Sequence, residues 1–239
     1  MRVLILGIDG YLGWALALRL VRRGGHEVVG IDNLYTRKAV AEVGSDSALP
    51  ILSMQDRIKA VEEAFGARIE FIEGDATNYY LIRKAMDKHR PDAVVHFAEQ
   101  RSAPYSMIDI EHAKHTVINN LTSTLNVIYA IKELKRDVHV LKMGTLGEYG
   151  YPAFRIPEDA FIDAVIQGIR DKIVVPRWAG SWYHWSKVFD SYMLLYANKL
   201  WGGLTITDFH QGLCMGLERR TLFPRSYSLG LMLMMCGVR

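Results

Sequence analysis

The stretch from Gly7 to Gly13 constrains this chain more than any other. Val3-Leu4-Ile5-Leu6 reads as a strand buried on both faces, and it runs directly into Gly7-Ile8-Asp9-Gly10-Tyr11-Leu12-Gly13. A helix follows, with Leu12, Leu16, Leu20 and Val21 at helical spacing. Glycines at these places allow a tight turn and a close approach of backbone to a pyrophosphate. The helix N-terminus adds N–H groups and the positive end of the dipole. Glycine spacing alone says little; a strand before and a helix after give it weight. The next strand, Glu27-Val28-Val29-Gly30-Ile31-Asp32, ends on a carboxylate about 20 residues on, where a ribose-binding acid is expected. Asp32 would accept from the adenosine ribose hydroxyls and repel a 2′-phosphate, so NAD is expected over NADP. Arg37 lies close by and pulls the other way.

Downstream, strands and helices alternate. Residues 34–54 read as a polar, irregular connection, longer than usual. A helix over 55–65 leads to a strand at Ile69-Glu70-Phe71-Ile72, which ends at Gly74-Asp75-Ala76. Asp75 is placed to accept from an adenine amino group, with Ala76 offering a backbone N–H. A helix to about His89, a strand over Ala93–Ala98 and a loop from Glu99 to Met107 follow. Then come a long helix over 111–135, a strand over Val138–Met143 and the run Gly144-Thr145-Leu146-Gly147-Glu148-Tyr149-Gly150. Residues 161–176 suggest a hairpin over the site, turning at Gln167-Gly168. A helix starting near Ser181 and covering 183–201 precedes a last strand over Leu204–Phe209. The pattern predicts an α/β fold, a Rossmann-type doubly wound parallel sheet with its ligand beyond the carboxyl ends of the strands.

Composition narrows the function classes. Half of the 239 residues are hydrophobic and 23% are charged, so the chain can bury a core. The net charge of +3 comes from scattered basic residues, which gives no electrostatic case for nucleic acid. No apolar run approaches the roughly 20 residues of a membrane helix. Cys214 and Cys236 make neither a disulfide framework nor a metal motif, and no leader is visible before the first strand; a cytoplasmic protein without a metal is expected.

The chemistry is expected at Tyr183-His184-Trp185-Ser186-Lys187. On a helix, Tyr183 and Lys187 project from one face, one turn apart. An ammonium beside a phenol favours the phenolate. Lowering a phenol pKa of about 10 by two or three units corresponds to about 3–4 kcal/mol and yields a base usable near neutral pH. Thr145 reaches the same sheet edge, where its hydroxyl can bond a substrate hydroxyl. Glu148 can act as an acid or base, and the guanidinium of Arg101 can pair with a phosphate or sulfite oxygen.

Together the glycine loop, Asp32, Thr145 and Tyr183…Lys187 resemble the extended short-chain dehydrogenase/reductase superfamily, within its NAD-dependent epimerase/dehydratase group. Members act on nucleotide sugars with a tightly held NAD. Asp9-Gly10-Tyr11, Asp32-Asn33-Leu34, the run Glu99 to Asp109, Gly144-Thr145…Gly150 and Tyr183 through Lys187 are similar to the branch that adds sulfite to a UDP-linked sugar. The resemblance covers about residues 1–216. It implies that Gly7, Gly10, Tyr11, Leu12 and Gly13 hold the pyrophosphate of NAD. It places Asp32, Asn33 and Arg37 at the adenosine ribose and Asp75 and Ala76 at the adenine, with Ala98, Glu99 and Asn119 lining the cofactor cleft. Tyr183 becomes the base, Lys187 its tuner, and Thr145 the bridge to the sugar 4-hydroxyl. Arg101 and Gln211 touch substrate, and Glu148 and His184 move protons at C5 and C6.

The implied partners are UDP-glucose and sulfite, or a sulfite donor, and a second copy of the chain paired through helices 111–135 and 183–201. Sugar-nucleotide 4,6-dehydratases carry Asp-Glu after the Thr, where this chain has Leu146-Gly147, which argues against that reaction. A UDP-glucose 4-epimerase, or an NAD-binding fragment without activity, is the alternative. Residues 217–239 read as a divergent tail standing where the superfamily has its substrate domain.

Overall fold

The computed structural model describes residues 1–47 and 50–212. The expected tail over 217–239 and both cysteines lie outside the described residues. Six parallel strands form the central sheet: β1 (Arg2–Leu6), β2 (Glu27–Asp32), β3 (Ile69–Glu73), β4 (Ala93–His96), β5 (His139–Thr145) and, last in the sheet, the strand Thr205–Gln211. A separate antiparallel pair, β6 (Phe161–Ile166) and β7 (Ile169–Val174), precedes that last strand, which is therefore β8. The sheet order is β3-β2-β1-β4-β5-β8. The order reverses between β1 and β4, whose residues Val3–Leu6 pair with Ala93–His96, and a crevice opens beyond their carboxyl ends.

Alternation along the strands builds two cores. Val3 and Ile5 of β1 pack with Val28 and Val95 under α1 (Tyr11–Arg23) and α3 (Met54–Phe65). Leu4 and Leu6 face the other way, with Val29, Val94 and Val140, under α4 (Tyr79–His89), α5 (Ile110–Leu134) and α6 (Trp182–Trp201). A strand covered on both faces must be apolar throughout, which is why Val3–Leu6 shows no alternation in its sequence.

Most helices begin on a residue that caps them. Ser53 accepts from Asp56 N, Asn78 from Leu81 N, Asp109 from Glu111 and His112 N, and Ser181 from His184 N. Helix α1 differs: its N-cap is Gly10, no side chain caps it, and its first turn holds no acidic residue. Its positive end lines the crevice at Gly10, Tyr11 and Leu12.

One expectation changes. The stretch 34–54 is not irregular throughout, since Tyr35–Glu42 forms helix α2. That helix buries none of its residues, so its sequence carries no apolar stripe to announce it. The hairpin β6–β7 is present, with Gln167 and Gly168 both at positive φ (52° and 82°), as a tight primed turn requires. Its residues are mostly exposed on both faces. Among the described residues, no helix is long and apolar enough to cross a membrane, and no cluster of His, Cys, Asp or Glu is arranged to hold a metal ion.

The glycine turn is packed backbone against backbone. Gly7 has φ +84°, and a Cβ there would lie 2.6 Å from the Phe97 carbonyl carbon. A Cβ on Gly13 would lie 2.8 Å from Ile8 Cα and 2.9 Å from Gly7 C. Overpacking of this kind costs about 2 kcal/mol. Gly13→Ala is expected to lower the melting temperature by roughly 4–8 °C in a chain of this size, followed by circular dichroism. An unchanged melting curve would contradict the close seating of α1 on the turn.

Candidate active site

Five segments meet in the crevice. The glycine turn supplies Gly7, Gly10, Tyr11, Leu12 and Gly13; the exit of β4 supplies Phe97, Glu99 and Arg101. Met143 comes from β5, Tyr183 and Lys187 from α6, and Gln211 from the end of β8. Ten residues expected from sequence thus line one cleft: Gly7, Gly10, Tyr11, Leu12, Gly13, Glu99, Arg101, Tyr183, Lys187 and Gln211. Phe97 and Met143 were not expected, because each reads as an apolar strand end. The hairpin β6–β7, expected to lie over the site, contributes no lining residue.

Lys187 is the anchor of the cleft. Its side chain is 4% exposed. The ammonium donates to the Met143 carbonyl at 2.7 Å and is paired with the Glu99 carboxylate. Burial drives it down to about 8, while Asp190 and Asp208 pull it back up. The Glu99 carboxylate in contact with it acts in the same direction as those two. Glu99 also lies 3.3 Å from His96 Nε2, and burial keeps that imidazole neutral, down at about 3.

Tyr183 is 8% exposed, and Lys187 Nζ lies 5.9 Å from its ring centroid. The donors of Lys187 are thus directed at Met143 and Glu99, and the expected depression of the phenol does not follow from this arrangement. Burial pushes the Tyr183 phenol above its ordinary value and Glu148 adds to the push; the Arg101 guanidinium works against both. Arg101 is half-buried; burial lowers its pKa, while Tyr183 and Asp32 support its charge. The cation acting on the phenol is Arg101, which the sequence had suggested only as an anion binder.

Thr145 ends β5 and starts a short turn, its hydroxyl accepting from Gly147 N at 3.2 Å. Glu148 does not line the cleft. It is fully buried, accepts from Thr145 N at 3.0 Å and from Ser191 Oγ at 3.2 Å, and pairs with Lys142 at 3.4 Å and with Arg177. Lys142 is fully buried too, donating to the Lys187 carbonyl and Ser191 Oγ, each at 3.0 Å, beside Asp208 at 3.3 Å. Burial raises the Asp208 carboxyl, but Lys142 and His210 more than offset this and hold it well below the usual carboxylate range. His184 takes Ser181 Oγ at 2.9 Å on Nδ1, and its ring lies where a side chain on Gly147 would stand. Burial lowers its pKa, partly opposed by Glu148.

At the other end of the crevice, Asp32 accepts from Asp9 N and Leu34 N, each at 2.8 Å. Asn33 Nδ2 donates to Asp75 at 2.8 Å, and Asp75 also receives Thr77 N at 2.7 Å. Ala76 and Ala98 belong to the apolar packing beside the sheet, and the Ala76 carbonyl accepts from Asn126. Asn119 donates to Asn120 at 3.0 Å. Asn120, unflagged in the sequence, is fully buried: it accepts from Gln100 N at 2.8 Å and donates to the Gln100 carbonyl and Ser186 Oγ. It therefore ties the loop carrying Glu99 and Arg101 to α6. Arg37 is directed not at Asp32 but at Asp9, which it grips through two bonds of 2.7 Å.

Comparison with known proteins identifies the family. Residues 3–165 match the NAD dependent epimerase/dehydratase family. The chain is 57% identical over 212 residues to the UDP-sulfoquinovose synthase of Sulfolobus acidocaldarius, covering 89% of this chain and 53% of that protein. It is 42% identical over 216 residues to the chloroplastic UDP-sulfoquinovose synthase of Spinacia oleracea, covering 90% and 44%. The chain spans about half the length of these curated relatives. Among solved structures, the UDP-Glc/GlcNAc 4-epimerase of Campylobacter jejuni shares the fold, with a TM-score of 0.64 at 18% identity over 88% of this chain and 53% of that one. The UDP-glucose 4-epimerase of Bifidobacterium longum, solved with NAD+ and UDP, gives 0.63 at 19% over 89% and 55%. The family match alone spans well over half of the sequence, and the chain belongs to the NAD dependent epimerase/dehydratase family.

Proposed function

We propose that the crevice binds NAD and that this chain serves the conversion of UDP-glucose and sulfite to UDP-sulfoquinovose. The observation that carries the reading is the convergence of the uncapped α1 N-terminus, Arg101, Tyr183, Lys187 and Gln211 on one cleft. The similarity to two UDP-sulfoquinovose synthases supports the choice of substrate.

The residues present fit the cofactor. The glycine turn admits backbone only, and α1 presents N–H groups and a positive dipole end to an anion. Asp32 offers a carboxylate to ribose hydroxyls, with Asn33 and Asp75 beside it. When bound, NAD supplies a reversible hydride acceptor for C4 of the sugar and a positively charged ring. Tyr183 takes the proton of the sugar 4-hydroxyl, helped by the charge of Arg101. The resulting 4-ketone acidifies C5. His184, whose pKa burial lowers, takes that proton and returns one as hydroxide leaves C6 as water. Sulfite then adds at C6, C5 regains its proton, and the 4-ketone is reduced back to the alcohol, so no net oxidation occurs. Glu148 is better suited to fixing Thr145 than to proton transfer, because both of its oxygens are held by cations and donors. A cytoplasmic protein is consistent with this chemistry. Pairing of two copies through α5 and α6 belongs to the same reading, since Ile118, Leu125, Phe189 and Leu200 on those helices are exposed.

Incubation with NAD, UDP-glucose and sulfite is expected to give a UDP-sugar heavier by the sulfonate, seen by mass spectrometry, and Tyr183→Phe should reduce it at least about a hundredfold. UDP-galactose formed with no need for sulfite would replace this reading with that of a 4-epimerase. Sedimentation is expected to show a wild-type dimer and a Leu125→Glu monomer; a monomeric wild type would discard the pairing. Glu99→Gln removes the counter-charge of Lys187, so the ammonium should titrate lower in the variant than in the wild type, followed by NMR of the labelled lysine side chain. A midpoint that stays in place would show that Glu99 does not hold the charge.

A further inference from the structure

We propose that Asp9 sets the preference for NAD over NADP, by occupying two guanidinium groups that would otherwise serve a ribose 2′-phosphate. The proposal rests on the reading that the crevice holds a nicotinamide dinucleotide. The chain carries two contradictory signals at the ribose edge. Asp32 is the carboxylate expected of an NAD site, while an arginine nearby is the feature that accommodates a 2′-phosphate. The structure adds a second such cation, Arg57 of α3, which the sequence gave no reason to suspect.

Asp9 resolves the conflict. It sits inside the glycine turn with its side chain 4% exposed. Arg37 reaches it through Nε and Nη2, each at 2.7 Å, and Arg57 through Nη1 at 2.7 Å. Each guanidinium is steadied from a second side. Arg37 also donates to the Leu52 carbonyl at 2.9 Å, and Arg57 lies 3.9 Å over the Trp14 ring. The Asp9 backbone N–H donates to Asp32 at 2.8 Å, so the acid that holds the cations and the acid that would read the ribose are directly linked. Both guanidinium groups converge on Asp9, whose backbone N–H is bonded to Asp32, so both cations stand beside the acid expected to read the ribose.

The consequence is electrostatic. The two arginines and two aspartates cancel, and the carboxylate of Asp9 takes up the forked donors that a phosphate would need. A 2′-phosphate arriving there meets a neutral patch with its donors engaged, and Asp32 repels it. A 2′-hydroxyl meets only an acceptor. Neutralising Asp9 leaves a net positive charge and two guanidinium groups already positioned by Trp14 and the Leu52 carbonyl.

The test is calorimetric titration of the chain with NAD and with NADP. The wild type is expected to bind NAD the more tightly. Asp9→Asn should shift the NADP-to-NAD affinity ratio about tenfold or more toward NADP, the size of effect that one charge exerts at this range in a partly hydrated site. Adding Arg37→Ala and Arg57→Ala to Asp9→Asn should remove the gain. A second variant does not depend on how Asp9→Asn folds: Arg37→Ala with Arg57→Ala in the otherwise wild-type chain leaves Asp9 and Asp32 unopposed, and should deepen the discrimination against NADP. An unchanged ratio in variants that bind NAD overturns the proposal. A wild-type chain that binds neither dinucleotide instead overturns the cofactor reading on which it stands.

Discussion

The buried ammonium of Lys187 holds the crevice together. An uncompensated charge in a protein interior is costly, by several kcal/mol even after relaxation. Lys187 offsets that cost by reaching the Met143 carbonyl at the end of β5 and the Glu99 carboxylate at the exit of β4, with Asp190 and Asp208 adding support. One side chain on α6 thus fixes the relative position of two strands and a helix. The glycine turn closes the remaining side, because Gly7 lies against the backbone of Phe97 and Ala98. Moving any of these elements would expose or orphan the charge.

A second layer of buried charge lies behind the first. Lys142, Glu148, Arg177, Asp208 and Ser191 form a closed network under Thr145. Its connection to the first layer is direct, since Lys142 donates to the backbone carbonyl of Lys187. Removing one partner from such a network costs about 3–5 kcal/mol, because the rest is left buried and unpaired. The benefit is geometric: the Thr145 backbone is pinned by Glu148, and Arg177 joins the segment after the hairpin to the same point. Asn120 does similar work with neutral groups, holding the Glu99–Arg101 loop to α6.

What the sequence made legible follows from local rules. The buried strand Val3–Leu6, the glycine turn, the Ser181 cap and the Gln167-Gly168 turn each depend on a few neighbouring residues. The parallel sheet follows from their alternation with helices. Helix α2 was not legible, because it buries nothing and so carries no periodic pattern. Lys142 was not legible either: inside Val140-Leu141-Lys142-Met143 it reads as an exposed strand residue, yet it is fully buried. Its partners are 6, 45, 49 and 66 residues away by chain count, and only the packing of α6 and β8 against β5 brings the distant ones together. The same holds for Arg57 on Asp9 and for Arg101 acting on Tyr183. Pairings made across a parallel sheet leave no spacing rule behind. The sequence therefore named the residues of the cleft better than it named their partners, and it assigned to Lys187 a contact with the phenol that Glu99 and Met143 hold instead.

The central claim is that the buried Lys187 anchor and the uncapped α1 N-terminus form the two ends of one dinucleotide site. A crystal structure of this chain with NAD tests it most directly. The account predicts the pyrophosphate against the N–H groups of the α1 first turn and the nicotinamide between the Gly7 turn and the Tyr183–Lys187 face. A dinucleotide bound elsewhere on the molecule, or one seated in the crevice with its nicotinamide directed away from Tyr183, would contradict it.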